Sequence, residues 1–364
     1  MKNAVLVIKL NKNELFGVDV SVIERFSKRG YSFDEVLFLQ IDKERLTKSY
    51  AELKSRVENL LIVCDKRLLS WVSETLFSSE VSFVKATREG CGFLSKGSFT
   101  AFLVAENSLE SLEFVDSVCI SHLVKKYGVR YDKIVIKTVG APMERIESLL
   151  DTAKRLSADR LSYNHKREYE SDCLEIFYDS TTPKMLTDDV LRIFADGLSE
   201  FIYALEDKSL EEQLVDMLKL RGKKIAVAES FTGGGVGKRI VSVPGASEVY
   251  FEGLNTYNEL SKMKRLGVQE YALKSFGAVS DETVYQMAAG LIATGDVDVA
   301  IATTGIAGPK SDSMNFPVGL SFIAIGTKEK VYVYRYKFNG NRKEITEKAI
   351  NHALFLAYRQ LKDI

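Results

Sequence analysis

Short apolar runs of strand length alternate with amphipathic helical stretches from the first residues onward, and this alternation limits the fold more than any other feature. "AVLVIKL" (4–10), "EVLFLQI" (35–41) and "NLLIVC" (59–64) are strand candidates. A helix closes at Gly30 before the second, and Leu46, Tyr50, Leu53 and Val57 form a helical stripe before the third. Such an order predicts an α/β fold with a mostly parallel sheet covered by helices, since each parallel strand needs a crossover to return the chain. At 364 residues the chain exceeds one ordinary core, so two or three domains are expected.

The charge balance narrows the partners. Lys+Arg and Asp+Glu both number 50, a formal net charge of +0. Without a basic excess, neither direct nucleic-acid binding nor a membrane partner is expected. No apolar run reaches membrane-spanning length. The five apolar residues before Lys9 are too few for a signal-peptide core. The four cysteines lack CxxC spacing and read as buried thiols of a reduced, cytoplasmic protein.

From Lys133 the pattern changes. "KIVIKTVGAP" reads as strand and turn, "MERIESLLDTAKRL" as helix, "REYESDCLEIFYD" as one extended segment and "DDVLRIFADGLSEFIYAL" as helix. This predicts a small α+β unit over 133–206, between an α/β domain over 1–132 and a further α/β domain over 207–364. The last opens with a helix that Ser209 caps, with Glu212 completing a capping box and Gly222 ending it. "KKIAVA" is its first strand. A helix from Ser280 to Leu291, the strands "DVAIATT", "VGLSFIAIG" and "KVYVYRYKF", and a final helix follow.

The first of these strands runs into "AESFTGGGVGKRI" (228–240). A Walker loop needs a glycine where Thr232 stands and a hydroxyl residue where Arg239 stands. The dinucleotide fingerprint fails at Lys238 and at Ile240. A sharp turn into a helix remains, either as a plain connection capped by Ser230 or Thr232 or as a place whose amides hold an anion or an oxyanion. Three histidines are present, and in the last domain only His352, inside a helix, so a Ser-His-Asp set is not expected. A desolvated lysine can serve as base instead. "NTYNELSKMKRLG" offers Tyr257 and Lys262, which converge only if the chain bends between them; by pattern alone Lys262 reads as a solvated helix lysine. "TTGIAGP", after "DVAIA", forms a second glycine turn at a strand's carboxyl end.

Together these segments resemble the CinA family of competence/damage-inducible proteins. "AESFTGG" (228–234), "TYNELSK" (256–262), "GAVSDE" (277–282), "TGIAGP" (304–309) and "FPVG" (316–319) follow the family's order. The resemblance covers 207–364 and implies a nicotinamide mononucleotide amidohydrolase without metal or cofactor. It implies Ser230 as nucleophile with Lys262 and Tyr257 as proton-transfer partners. Thr232, Gly233 and Gly234 would face the oxyanion or phosphate, Gly305, Ala307 and Gly308 would bound the pocket, and Arg342 would hold the phosphate. A homodimer is implied as well. Phe231 replaces the family's cysteine after AES, and "KSDSMN" replaces a glycine-richer stretch.

The first 132 residues resemble the family's molybdopterin-binding-like domain in degraded form. "NELFG" (13–17) lacks a leading glycine, and "VCDKRLLSWV" (63–72) stands where the family has a glycine cradle and paired aspartates. The ADP-ribose pyrophosphatase activity linked to that domain is therefore not expected. A non-catalytic nucleotide-binding or interaction protein is the alternative to the amidohydrolase, and a pyrophosphatase the weaker one.

Overall fold

A computed structural model describes residues 2–10, 20–78, 80, 82–158, 160–311 and 316–362. "NELFG" and 312–315 of "KSDSMN" lie outside the described residues. The chain gathers into two compact units: Met1–Lys133 with Phe177–Lys184, and Ile134–Ile176 with Met185–Ile364. Most of 133–206 thus gathers with the carboxyl-terminal part.

The first unit carries β1 (Asn3–Lys9), α1 (Ser21–Lys28), β2 (Glu35–Gln40), α2 (Lys43–Arg56), β3 (Asn59–Cys64), α3 (Leu69–Phe77), β4 (Phe83–Lys85), β5 (Gly92–Lys96), β6 (Phe99–Ala105), α4 (Leu109–Phe114) and α5 (Ile120–Tyr127). The strand order is β2-β1-β3-β6-β5-β4. β2, β1, β3 and β6 run parallel. β1, β3 and β6 are buried along their whole length, as continuous apolar runs in a sheet covered on both faces must be. Strands β4 and β5 add an antiparallel edge, which the alternation did not foretell because no helix separates β4 from β5 or β5 from β6.

Next in the chain come β7 (Tyr131–Val139), α6 (Met143–Ser157), β8 (Ser162–Glu168), β9 (Ser171–Asp179), α7 (Lys184–Gly197) and β10 (Ile202–Ala204), their strands in a sheet ordered β10-β7-β9-β8; of these, 131–133 and 177–184 are counted with the first unit. The single extended segment expected here is part of a hairpin. Its turn is Tyr169–Glu170, with φ of 50° and 61°, a conformation that glycine or asparagine would have advertised. The helix expected over 188–205 stops at Gly197, and its end becomes β10.

The rest comprises α8 (Leu210–Arg221), β11 (Ile225–Glu229), α9 (Gly235–Val241), β12 (Tyr250–Asn255), α10 (Glu259–Leu266), α11 (Glu270–Phe276), α12 (Asp281–Ile292), β13 (Val299–Gly305), β14 (Leu320–Thr327), β15 (Val331–Lys337) and α13 (Arg342–Lys362). Ser209 and Glu212 form the capping box of α8 as predicted. The sheet order is β12-β11-β13-β14-β15, with β12, β11 and β13 parallel. Alternation along β11 sends Ile225 and Val227 into one core with Leu214, Leu218 and α13 residues. Ala226 and Ala228 enter another with Val284 and Met287 of α12. From β11 the chain goes to β12 on one side and later to β13 on the other. Strand order therefore reverses at the carboxyl end of β11, the crevice where open α/β sheets bind ligands.

Candidate active site

Ser230 stands at that reversal. Its N–H donates to Thr303 O of β13 at 3.1 Å, which fixes the backbone as it leaves the sheet. The glycines then serve conformation. Gly234 has φ +94°, open to glycine at little cost. A Cβ on Gly237 would lie 2.5 Å from the Tyr250 hydroxyl.

The anion at this turn is the chain's own. Glu229, 1% exposed, accepts from the N–H groups of Gly234 at 3.0 Å, Val236 at 3.1 Å and Gly237 at 2.8 Å. A buried carboxylate needs donors, and the start of α9 has amides without helical partners. Gly233 N–H donates to Ser230 O at 3.2 Å, and the Thr232 hydroxyl meets that of Thr303 at 2.7 Å. The amides of Gly233 and Gly234, expected to face a ligand, are thus occupied within the turn. Among the described residues the N–H groups of Phe231 and Thr232 have no hydrogen-bond acceptor.

Lys262 reaches Ser230 from α10. The chain bends after β12, and Asn258 caps α10 by accepting from Leu260 N–H at 2.9 Å. Lys262 and Leu266, four apart, share the buried face of this helix. Lys262 is 1% exposed, so the pattern-based reading of a solvated lysine is corrected: it occupies a position of the apolar stripe. Its Nζ lies 3.0 Å from Ser230 Oγ, 2.6 Å from Thr256 O and 3.4 Å from Tyr257 O. Burial pushes its pKa down to about 8, against the opposing pull of the Glu259 carboxylate. Tyr257 sits in the bend and is 66% exposed.

Ser230, Tyr257 and Lys262 line one cavity of about 250 Å³. Gly305, Ala307, Gly308 and Arg342 line it too, whereas Thr232, Gly233 and Gly234 do not. Arg342, the first residue of α13, donates from Nη1 to Gly308 O at 2.9 Å. Sequence reasoning missed Phe231, Ala278, Val279, Thr304, Ile306, Lys310 and Ser311 of the lining. "GAVSDE" did signal Ala278 and Val279, which Thr304 holds through a bond from its hydroxyl to Ala278 O at 2.7 Å. Among the described residues the charged side chains of the lining are Lys262, Lys310 and Arg342, all of basic type. Such a wall suits a small anion.

The histidines of this unit are engaged elsewhere. His352 meets Glu170 Oε2 at 3.0 Å, and His165 meets Asp172 Oδ1 at 2.9 Å. Among the described residues no three His, Cys, Asp or Glu side chains gather as a metal site. No helix among them is long and apolar enough to cross a membrane.

The family profile of the CinA C-terminal domain matches residues 207–361. A protein of Caldicellulosiruptor saccharolyticus named as competence-damage inducible is 47% identical over 157 residues, covering 43% of this chain and 38% of that protein. A CinA-like protein of Kosmotoga olearia is 40% identical, covering 46% and 40%. The match therefore spans less than half of the length of these curated relatives. The crystal structure of a competence or damage-inducible protein from Enterobacter asburiae is 30% identical, covers 42% of this chain and 96% of that one, and has a TM-score of 0.41.

Proposed function

We propose, from the match of residues 207–361 to the CinA C-terminal domain, that this domain hydrolyses the carboxamide of nicotinamide mononucleotide to nicotinate mononucleotide and ammonia. The observation that carries the reading is Lys262 Nζ at 3.0 Å from Ser230 Oγ, in a cavity whose other charged walls, among the described residues, are the cations Lys310 and Arg342.

In its neutral form Lys262 takes the Ser230 proton as Oγ bonds to the carboxamide carbon. Negative charge moves to the carbonyl oxygen, for which we assign the amide of Phe231, the residue after the nucleophile, which lines the cavity. Collapse returns the carbonyl and breaks the C–N bond. The proton on Lys262 passes to the departing nitrogen, with the Tyr257 hydroxyl as relay, and ammonia leaves. Water then attacks the Ser230 ester, Lys262 takes one of its protons and returns it to Oγ, and the carboxylic acid is freed, giving its remaining proton to the released ammonia or to solvent. Arg342 and Lys310 hold the phosphate.

The test is ammonia release from nicotinamide mononucleotide. Native protein should release it and Ser230→Ala should not; a native protein that releases none overturns the reading. We also propose a homodimeric, cytoplasmic enzyme, and light scattering at twice the chain mass checks the first of these.

A further inference from the structure

Glu229 lies against the site without lining its cavity, and its connections run to both reacting groups. Its side chain holds the amides of Gly234, Val236 and Gly237, folding back the turn that begins at Ser230. Its carbonyl accepts from Thr256 N–H at 2.8 Å. Thr256 in turn offers its own carbonyl to Lys262 Nζ at 2.6 Å. One residue thus clamps the nucleophile's loop through its carboxylate and the lysine's anchor through its main chain. Among the described residues no cation pairs with this buried carboxylate, so backbone amides are what hold it. A carboxylate kept in a buried place costs free energy unless its donors are fixed, and these donors are the turn itself.

We propose that Glu229 is a positioning residue that sets the Ser230 Oγ to Lys262 Nζ distance by pinning the glycine turn. The proposal rests on the nucleophile and base reading of Ser230 and Lys262. It also accounts for the glycines: Gly234 supplies the left-handed step that aims its amide at Glu229, and Gly237 leaves room beside Tyr250. With this carboxylate in the turn, the substrate's phosphate is left to the cationic wall at Lys310 and Arg342.

The test compares Glu229→Asp, Glu229→Gln and Glu229→Ala with native protein by two readouts. The first is kcat and KM on nicotinamide mononucleotide. The second is the labelling rate of Ser230 by a fluorophosphonate, in which Oγ bonds to phosphorus, fluoride leaves and Lys262 takes the proton. Gln keeps one acceptor oxygen for Gly234 and Val236 but turns an NH₂ toward Gly237. Asp keeps the charge and falls one methylene short. We expect kcat and labelling to drop together, about tenfold for Gln and about a hundredfold for Ala, with KM within about twofold. Thermal melting shows which variants are folded at the assay temperature, and Gln and Asp carry the test should Ala unfold. Folded Gln and Asp variants that label Ser230 at the native rate overturn the positioning role. A native Ser230 that neither labels nor hydrolyses overturns the reading beneath it, a distinguishable failure.

Discussion

The two units place a lysine at the same point of the same strand logic and make different things of it. In each, one parallel strand is flanked by the next two parallel strands in sequence: β1 by β2 and β3, β11 by β12 and β13. Lys9 ends β1, 3% exposed, and its Nζ meets Glu106 Oε2 at 2.5 Å. Lys262 comes to the end of β11 and meets a hydroxyl and two carbonyls. A buried ion pair is held by mutual charge, and neither partner is free for a third group. A buried lysine with neutral partners has its ammonium disfavoured by desolvation and can act as a base near neutral pH. Among the described residues other charges of the first unit are paired as well: Asp65 with Arg67, and Lys66 with Glu89. The first unit's lysine is thus engaged by an acid, while the second unit's faces a cavity.

The largest effect should come from exchanging each lysine for methionine. Lys262→Met should lower kcat on nicotinamide mononucleotide by about a thousandfold or more, since proton removal from Ser230 depends on it. Lys9→Met should leave kcat unchanged but lower the stability of the first unit by about 3–5 kcal/mol, because Glu106 is left buried and uncompensated. Lys9→Met with Glu106→Leu should regain most of that loss. Kinetics and urea denaturation read both. Equal losses of activity in the two lysine variants would erase the distinction drawn between the units.

The next effect separates the lysines by pH. Lys262 acts when neutral, so kcat/KM should rise with pH through about 8 and level off above it. Stability follows the same sign. With the folded pKa below that of the unfolded chain, the unfolded state binds the extra proton between about 8 and 10.5. Native stability relative to Lys262→Met should therefore rise with pH across that window, by about 3 kcal/mol at most. Below pH 8 the difference should be flat. A rate constant from about pH 5 to 9 would remove Lys262 as the base.

Much of this was legible in the residues. The continuous apolar runs foretold β1, β3 and β11, and the Ser209 to Glu212 spacing foretold the start of α8. The five-residue offset of Tyr257 and Lys262 set only the condition, a bend between them, under which both could line one cavity. What pattern reading lost were features set by distant partners. The Tyr169–Glu170 turn carries no turn-forming residue, and holds its positive φ where Asn351 Nδ2 donates to Tyr169 O at 2.8 Å. Pattern left the glycine turn as either a plain connection or an anion place, because nothing local says that the preceding glutamate folds back to fill it. Lys262 read as solvated because charge was weighed above position. It lies four residues from Leu266 on the face that packs inward.

The smallest effect concerns Lys310 and Arg342, which among the described residues pair with no acid at the second unit's cavity. Arg342 is exposed and bonded to Gly308 O rather than to a carboxylate, and Lys310 is exposed on the same lining. Charges so placed steer and hold an anion without touching the reacting carbonyl, and solvent screens them. Arg342→Gln should raise KM about tenfold and Lys310→Gln about threefold, each with kcat within about twofold. Raising salt from about 0.05 M to about 0.5 M should raise the native KM and leave that of the double variant nearly unchanged. Lys66→Gln, in the first unit, removes a cation already engaged by Glu89 and should leave KM as it was. If KM responds to Lys66 as strongly as to Arg342, the anion is drawn by overall charge, and the contrast between cations engaged by acids and cations facing a cavity loses its electrostatic basis.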